Sequence, residues 1–176
     1  WTARVSPTSA AIGHEPPDQT PLDLYSRPMS HPLSDRYSRQ ILLPQIGEEG
    51  QALLAASSAV IVGCGALGSA TAALLARAGV GRLRIVDRDF VEVSNLQRQL
   101  LFDEADALEG KPKALAAAEK LARVNSEIAV EGVVADVHPG TILDLVRGFS
   151  LILDGTDNFE TRFMINDVSV RHDIPW

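Results

Sequence analysis

Gly63, Gly65 and Gly68 stand in the run IVGCGALG (61–68), and Asp87 follows nineteen residues after the last of them, closing a second apolar run, IVD. Glycines spaced G-x-G-x-x-G between a strand and a helix make a phosphate cradle. The first permits a tight turn, the second presents bare backbone to a phosphate, and the third lets the helix lie close on the sheet. The phosphate then meets free N–H groups at the positive end of the helix. An aspartate at the tip of the next strand is placed to accept hydrogen bonds from a ribose. These residues alone fit a redox dinucleotide and a cleavable nucleoside triphosphate equally well.

The segments that follow separate the two. Asp89 comes next, then Asn95 and Arg98 within VSNLQRQ (93–99), Lys113 within KPK, and Asp157 within DGTDN (154–158). Attack at phosphorus spreads negative charge over oxygens and expels an anion; lysine and arginine stabilise that charge, and an aspartate holds the metal that neutralises it. Hydride transfer makes no such demand, so the set favours ATP cleavage over nicotinamide chemistry. Each residue also has a structural alternative. Asp157 would cap the next helix, with Glu160 completing a capping box. Arg98 and Lys113 would be solvated cations, and Asp154 would serve only a turn. Arg162 and Asn166, four apart, read as a structural contact, and His138 and His172 lack partners at metal spacing. Cys64 is either a thiol activated at a helix N-terminus or, as expected here, a small side chain filling space beneath the loop.

The elements that must position these groups alternate along the chain. DRYSRQILL and GEEGQALLAAS predict two short helices broken at Pro44. Strands are expected at 58–63, 82–87, 128–134 and 149–154, and helices at 65–79, 110–125, 141–148 and over NFETRFMINDVSVRH. Pro112 falls near the first turn of its helix, where a missing N–H costs nothing. The fold class is α/β: a Rossmann-like, doubly wound, mostly parallel sheet, with ligands at the carboxyl ends of the strands. Residues 1–33 form a Pro-rich leader, expected to be disordered, since six of the ten prolines fall in residues 1–32. Residues 34–176 form the nucleotide-binding domain. The chain opens on Trp1 and stops at Trp176, where another strand is expected, so it reads as a domain truncated at its C-terminus.

The 176 residues carry a formal net charge of −7, and neither a basic stripe nor interleaved aromatics suits a nucleic-acid backbone. A single cysteine rules out an internal disulfide framework. No apolar run reaches membrane-spanning length and no signal peptide opens the chain. A cytoplasmic enzyme domain with no membrane and no direct nucleic-acid partner is expected.

RYSRQILLPQIG, GCGALG, VDRDFVEVSNLQRQLLF, GKPKA and DGTDNFETRFMIND, in that order, resemble the ThiF/MoeB family of adenylating enzymes, bacterial relatives of ubiquitin-activating enzymes. The resemblance spans about residues 34–176. It implies a homodimer that uses ATP to adenylate the C-terminal Gly-Gly carboxylate of a ubiquitin-like sulfur-carrier protein, for molybdopterin or thiamin biosynthesis, releasing pyrophosphate. It further implies that Asp87 holds the ribose with Asp89 close behind it. Asn95, Arg98 and Lys113 would bind phosphates, Asp157 would bind Mg²⁺, and Arg39 would reach in trans into the partner's site. The structural zinc of this family would come only from sequence beyond Trp176. A tRNA threonylcarbamoyladenosine dehydratase of the same family is an alternative. From another class, an NAD-dependent dehydrogenase would explain the glycines and Asp87 while leaving SNLQRQ and TDN idle.

Overall fold

A computed structural model describes residues 34–176; the expected leader lies outside the described residues. Its sheet has four parallel strands, β1 (Ser58–Val62), β2 (Arg82–Val86), β3 (Ala129–Val133) and β4 (Leu151–Asp154), in the order β3-β2-β1-β4. The central strand, SAVIV, is apolar after its first residue because both of its faces are covered. Ile61, Leu83 and Ile85 pack on one side against α3 (Ala66–Ala78) and α5 (Lys113–Val124). Val60, Val62 and Val86 pack on the other against α6 (Ile142–Val146) and α7 (Phe159–His172). Each fully buried Ile, Leu or Val contributes about 1.5–3 kcal/mol. The doubly wound, parallel architecture read from the alternation is therefore the one observed.

Chain order reverses at β1, since β2 and β3 lie to one side of it and β4 to the other. In such sheets the crevice beyond the strand ends at this reversal is where ligands bind. The opposite end is closed by α1 (Ser34–Ile41) and α2 (Gly47–Ala56). Tyr37 is buried there, its hydroxyl accepting a hydrogen bond from Asn125 Nδ2 at 2.8 Å, and Gln40 and Gln51 both donate to the Ala78 carbonyl at the end of α3.

Observed boundaries lie within three residues of those expected. Pro112 does not sit in the first turn of α5 but at its N-cap, with ψ of 132°; a Pro there removes no helical hydrogen bond either. Two short elements were not legible as hydrophobic periodicity: a 3-10 turn, Val93–Asn95, and α4 (Glu104–Leu108). Both are held by side-chain caps, Glu92 with Asn95 and Asp103 with Asp106. Among the described residues no helix is long and apolar enough to cross a membrane.

Candidate functional site

The chain leaves β1 through Gly63, whose φ of +88° lies in the region glycine alone enters freely. A Cβ on Gly68 would fall 1.9 Å from the Gly63 carbonyl oxygen, and one on Gly155, just past β4, would fall 2.5 Å from the same atom. The loops after β1 and β4 thus meet backbone against backbone. Gly65 differs: a Cβ there would meet nothing within 4 Å, because its backbone faces an open cavity at the start of α3. Gly63 makes the tight turn and Gly68 the close helix–strand approach that their spacing predicts, while Gly65 leaves its backbone open to the cavity.

Asp87 ties this loop to the end of β2. Its Oδ2 accepts the Cys64 N–H at 2.6 Å and its Oδ1 the Asp89 N–H at 2.7 Å. Each carboxylate oxygen has a further lone pair for a ligand hydroxyl. Cys64 is fully buried, and burial, reinforced by the Asp87 charge, pushes its thiol up to about 12. It is an unreactive filler of the loop.

Lys113 reaches the cavity from another direction. Residues 89–91 and 111–113 run antiparallel, with Val91 N–H donating to the Lys111 carbonyl at 2.9 Å and Lys113 N–H to the Asp89 carbonyl at 2.8 Å. This strap places the Lys113 Nζ 3.3 Å from Asp89 Oδ2, the lysine side chain 9% exposed and the aspartate 59%. Two ammonium protons are left for an anion. Between the strap's halves, buried Asn95 folds back so that its Oδ1 accepts the Glu92 N–H at 3.3 Å, and exposed Arg98 donates to the Ser94 carbonyl at 3.0 Å.

The loop after β4 is braced from within. Asp154 accepts from the Thr156 hydroxyl at 2.6 Å and N–H at 2.9 Å, and from Arg162 Nε at 2.7 Å. Burial works against the Asp154 charge, yet these hydrogen bonds prevail and hold its carboxyl below the usual range. Asp154 serves the turn, as the sequence suggested, and Arg162 is structural through Asp154 and the Thr156 carbonyl. The capping reading of Asp157 is corrected: the cap of α7 is Asn158, whose side chain accepts the Thr161 N–H at 2.8 Å. Asp157 is exposed at the cavity and makes no side-chain hydrogen bond or ion pair among the described residues.

One cavity of about 1310 Å³ collects these groups: Gly63, Gly65, Asp87 and Asp89 from the ends of β1 and β2, with Asn95, Arg98, Lys113 and Asp157 from the later loops. That exceeds the roughly 300–1,000 Å³ of ordinary small-molecule pockets. Gly68 lies beneath it, packed on Gly63. Arg39 is not among its lining residues; it is an exposed residue of α1, the helix that packs at the far end of α3. Sequence reading missed Gly155, Gln99, Asp136 and His138, which also line the cavity. Gly155 had a usable signal: it follows β4 as Gly63 follows β1.

The open backbone at Gly65, the amino end of α3 and the cations Arg98 and Lys113 suit a polyphosphate. Among the described residues no cluster of three His, Cys, Asp or Glu could hold a metal ion. A magnesium ion needs no such cluster, because it keeps water and binds through one or two carboxylates plus substrate phosphates; the free carboxylate of Asp157 fits that role.

Comparison with known proteins agrees with this geometry. The ThiF family is matched over residues 37–176. The sulfur carrier protein ThiS adenylyltransferase of Bacillus subtilis (strain 168) is 50% identical over 144 residues, which cover 82% of this chain and 43% of that protein. The adenylyltransferase and sulfurtransferase MOCS3 of Sus scrofa is 50% identical over 135 residues, 77% of this chain and 29% of that protein. The chain thus spans less than half the length of either relative. Among solved structures, the tRNA N6-threonylcarbamoyladenosine dehydratase TcdA of E. coli, in complex with ATP, superposes with a TM-score of 0.75 at 29% identity, covering 81% of this chain and 57% of that one. With the family matched along nearly all of the described fold, the chain belongs to the ThiF family.

Proposed function

We propose that the chain forms the ATP-binding part of a cytoplasmic adenylyltransferase that activates the C-terminal Gly-Gly carboxylate of a ubiquitin-like sulfur-carrier protein. A carboxylate oxygen attacks the α-phosphorus of ATP; the bond from that phosphorus to the bridging oxygen breaks, and pyrophosphate leaves with the electron pair. The products are an acyl-adenylate and pyrophosphate. Asp87 and Asp89 hold the ribose end, the backbone at Gly63, Gly65 and Gly68 receives phosphate, and Asn95, Arg98 and Lys113 bind the phosphates and stabilise the departing charge. Asp157 is the residue that would hold Mg²⁺, which supplies further charge neutralisation when bound. Arg39, remote from its own cavity, acts on the partner's site in a homodimer.

The observation that carries this reading is the convergence of Arg98, Lys113 and Asp157 on the cavity that also holds Gly65 and Asp87. A dehydrogenase has no use for that set. Similarity to a named sulfur-carrier adenylyltransferase at 50% identity, against 29% for TcdA, favours a carrier protein over tRNA as the substrate. The test is exchange of labelled pyrophosphate into ATP by the full-length protein. Exchange is expected only when a sulfur carrier with its terminal Gly-Gly is present. Exchange without carrier, or none alongside tight NAD binding, overturns the assignment.

A further inference from the structure

Buried polar side chains in this protein are paired with care. Asn125 donates to Tyr37 and to the Ala76 carbonyl, Gln51 donates to the Ala78 carbonyl and accepts from Gln40, and Asp106 accepts the Asp103 N–H and pairs with Lys120. Among the described residues there is one exception: Oε1 of Gln99 is buried without any hydrogen-bond partner. Gln99 is 3% exposed, and it lines the nucleotide cavity. Its main chain is satisfied, with its N–H donating to the Asn95 carbonyl at 3.0 Å and its carbonyl accepting from Phe102 at 3.2 Å. The deficit is confined to the side chain. Leaving a buried acceptor unpaired lowers stability, and an apolar side chain of the same length would avoid that penalty. Local rules are broken in this way mainly where a site needs the group.

Position supplies the reason. Asn95, Arg98 and Gln99 are spaced i, i+3 and i+4, and the hydrogen bond from Gln99 N–H to Asn95 C=O closes a helical turn, so the three share one face. All three line the cavity. We propose that Gln99 is a nucleotide-binding residue: on binding, its carboxamide turns toward the cavity, so that its N–H donates to a phosphoryl oxygen and its Oε1, brought out of its buried position, accepts from a water ordered by that phosphate. An amide is suited to this because it offers two donors and an acceptor without adding charge between Arg98 and the acidic residues. In the free protein the oxygen is orphaned; with nucleotide bound it is paired. This inference rests on the ATP-site reading above and adds to it a residue that reading does not use.

The experiment compares the full-length wild-type protein with Gln99→Met, which keeps the length and removes both polar atoms. ATP affinity is measured by calorimetry and stability by thermal unfolding without nucleotide. Gln99→Met is expected to unfold about 3 °C or more higher than wild type and to bind ATP about tenfold or more weakly. A purely structural role moves stability the other way, so a variant that melts lower, or one that binds ATP as wild type does, overturns the proposal. A measurement on the wild type guards against poor folding of the variant. The Gln99 side-chain amide protons should shift and gain protection from exchange when ATP is added, and an unchanged amide signal in nucleotide-saturated protein overturns the proposal equally. Failure here is distinct from failure of the enzymatic assignment. ATP binding that ignores Gln99 leaves carrier-dependent exchange intact, whereas a wild type that binds no ATP removes both.

Discussion

Lys113 and Asp157 are the residues on which the chemistry leans hardest, and their surroundings make them good test positions. Lys113 is buried against Asp89, but that carboxylate is largely exposed and water can solvate it when the cation is removed. Asp157 has no partner to lose among the described residues. Alanine at either position should therefore leave the melting temperature nearly unchanged while lowering carrier-dependent pyrophosphate exchange about a hundredfold or more, the usual cost of deleting a group that stabilises developing charge. Effects below about threefold at both positions would show the roles to be wrongly assigned. The same reasoning explains what was legible at this scale. Residue type and order were enough to nominate Asp87, Arg98 and Lys113, which the fold brings to one cavity, because phosphate chemistry calls for cations and carboxylates whatever their partners. Partners were not legible: that Asn158 rather than Asp157 caps α7, and that Gln99 ends buried and unpaired, depends on side-chain directions that spacing leaves open.

Among the elements, the strands could be read from the chain as short unbroken apolar runs, because both faces of the sheet are covered. Ile61, Leu83 and Ile85 mark the face under α3 and α5, and Val60, Val62 and Val86 the face under α6 and α7. The 3-10 turn at Val93–Asn95 and helix α4 carry too few apolar residues for a period and stand on their caps instead. The glycine loop gives a sharp contrast at this scale. Gly68→Ala drives a methyl into the Gly63 carbonyl, which α3 and β1 hold in place, and should cost about 1–3 kcal/mol or more in a denaturant unfolding curve. Gly65→Ala meets open space at an ordinary φ of −78°. It should unfold with wild-type stability and bind ATP markedly more weakly, because its methyl occupies the approach to the backbone. Equal losses of stability in the two variants would contradict the division between a packing glycine and a phosphate-facing one.

For the whole molecule, the candidate site is assembled where the parallel sheet reverses its order, and four loops far apart in sequence supply it. Arg39 stands apart at the other end of α3, so the trans role proposed for it requires a second copy. Mixed dimers of Arg39→Ala and Asp157→Ala chains should recover part of the exchange activity that each variant lacks alone, because one of their two sites is intact; verified heterodimers without recovery would remove that role. The central claim, that these separated segments act on one triphosphate, is tested most directly by a crystal structure of the full-length protein with ATP and magnesium. The phosphates are expected to lie over Gly65 at the start of α3, within hydrogen-bond distance of Lys113 Nζ, with Asp157 at the metal. Phosphates found away from Lys113 and Asp157 would contradict it.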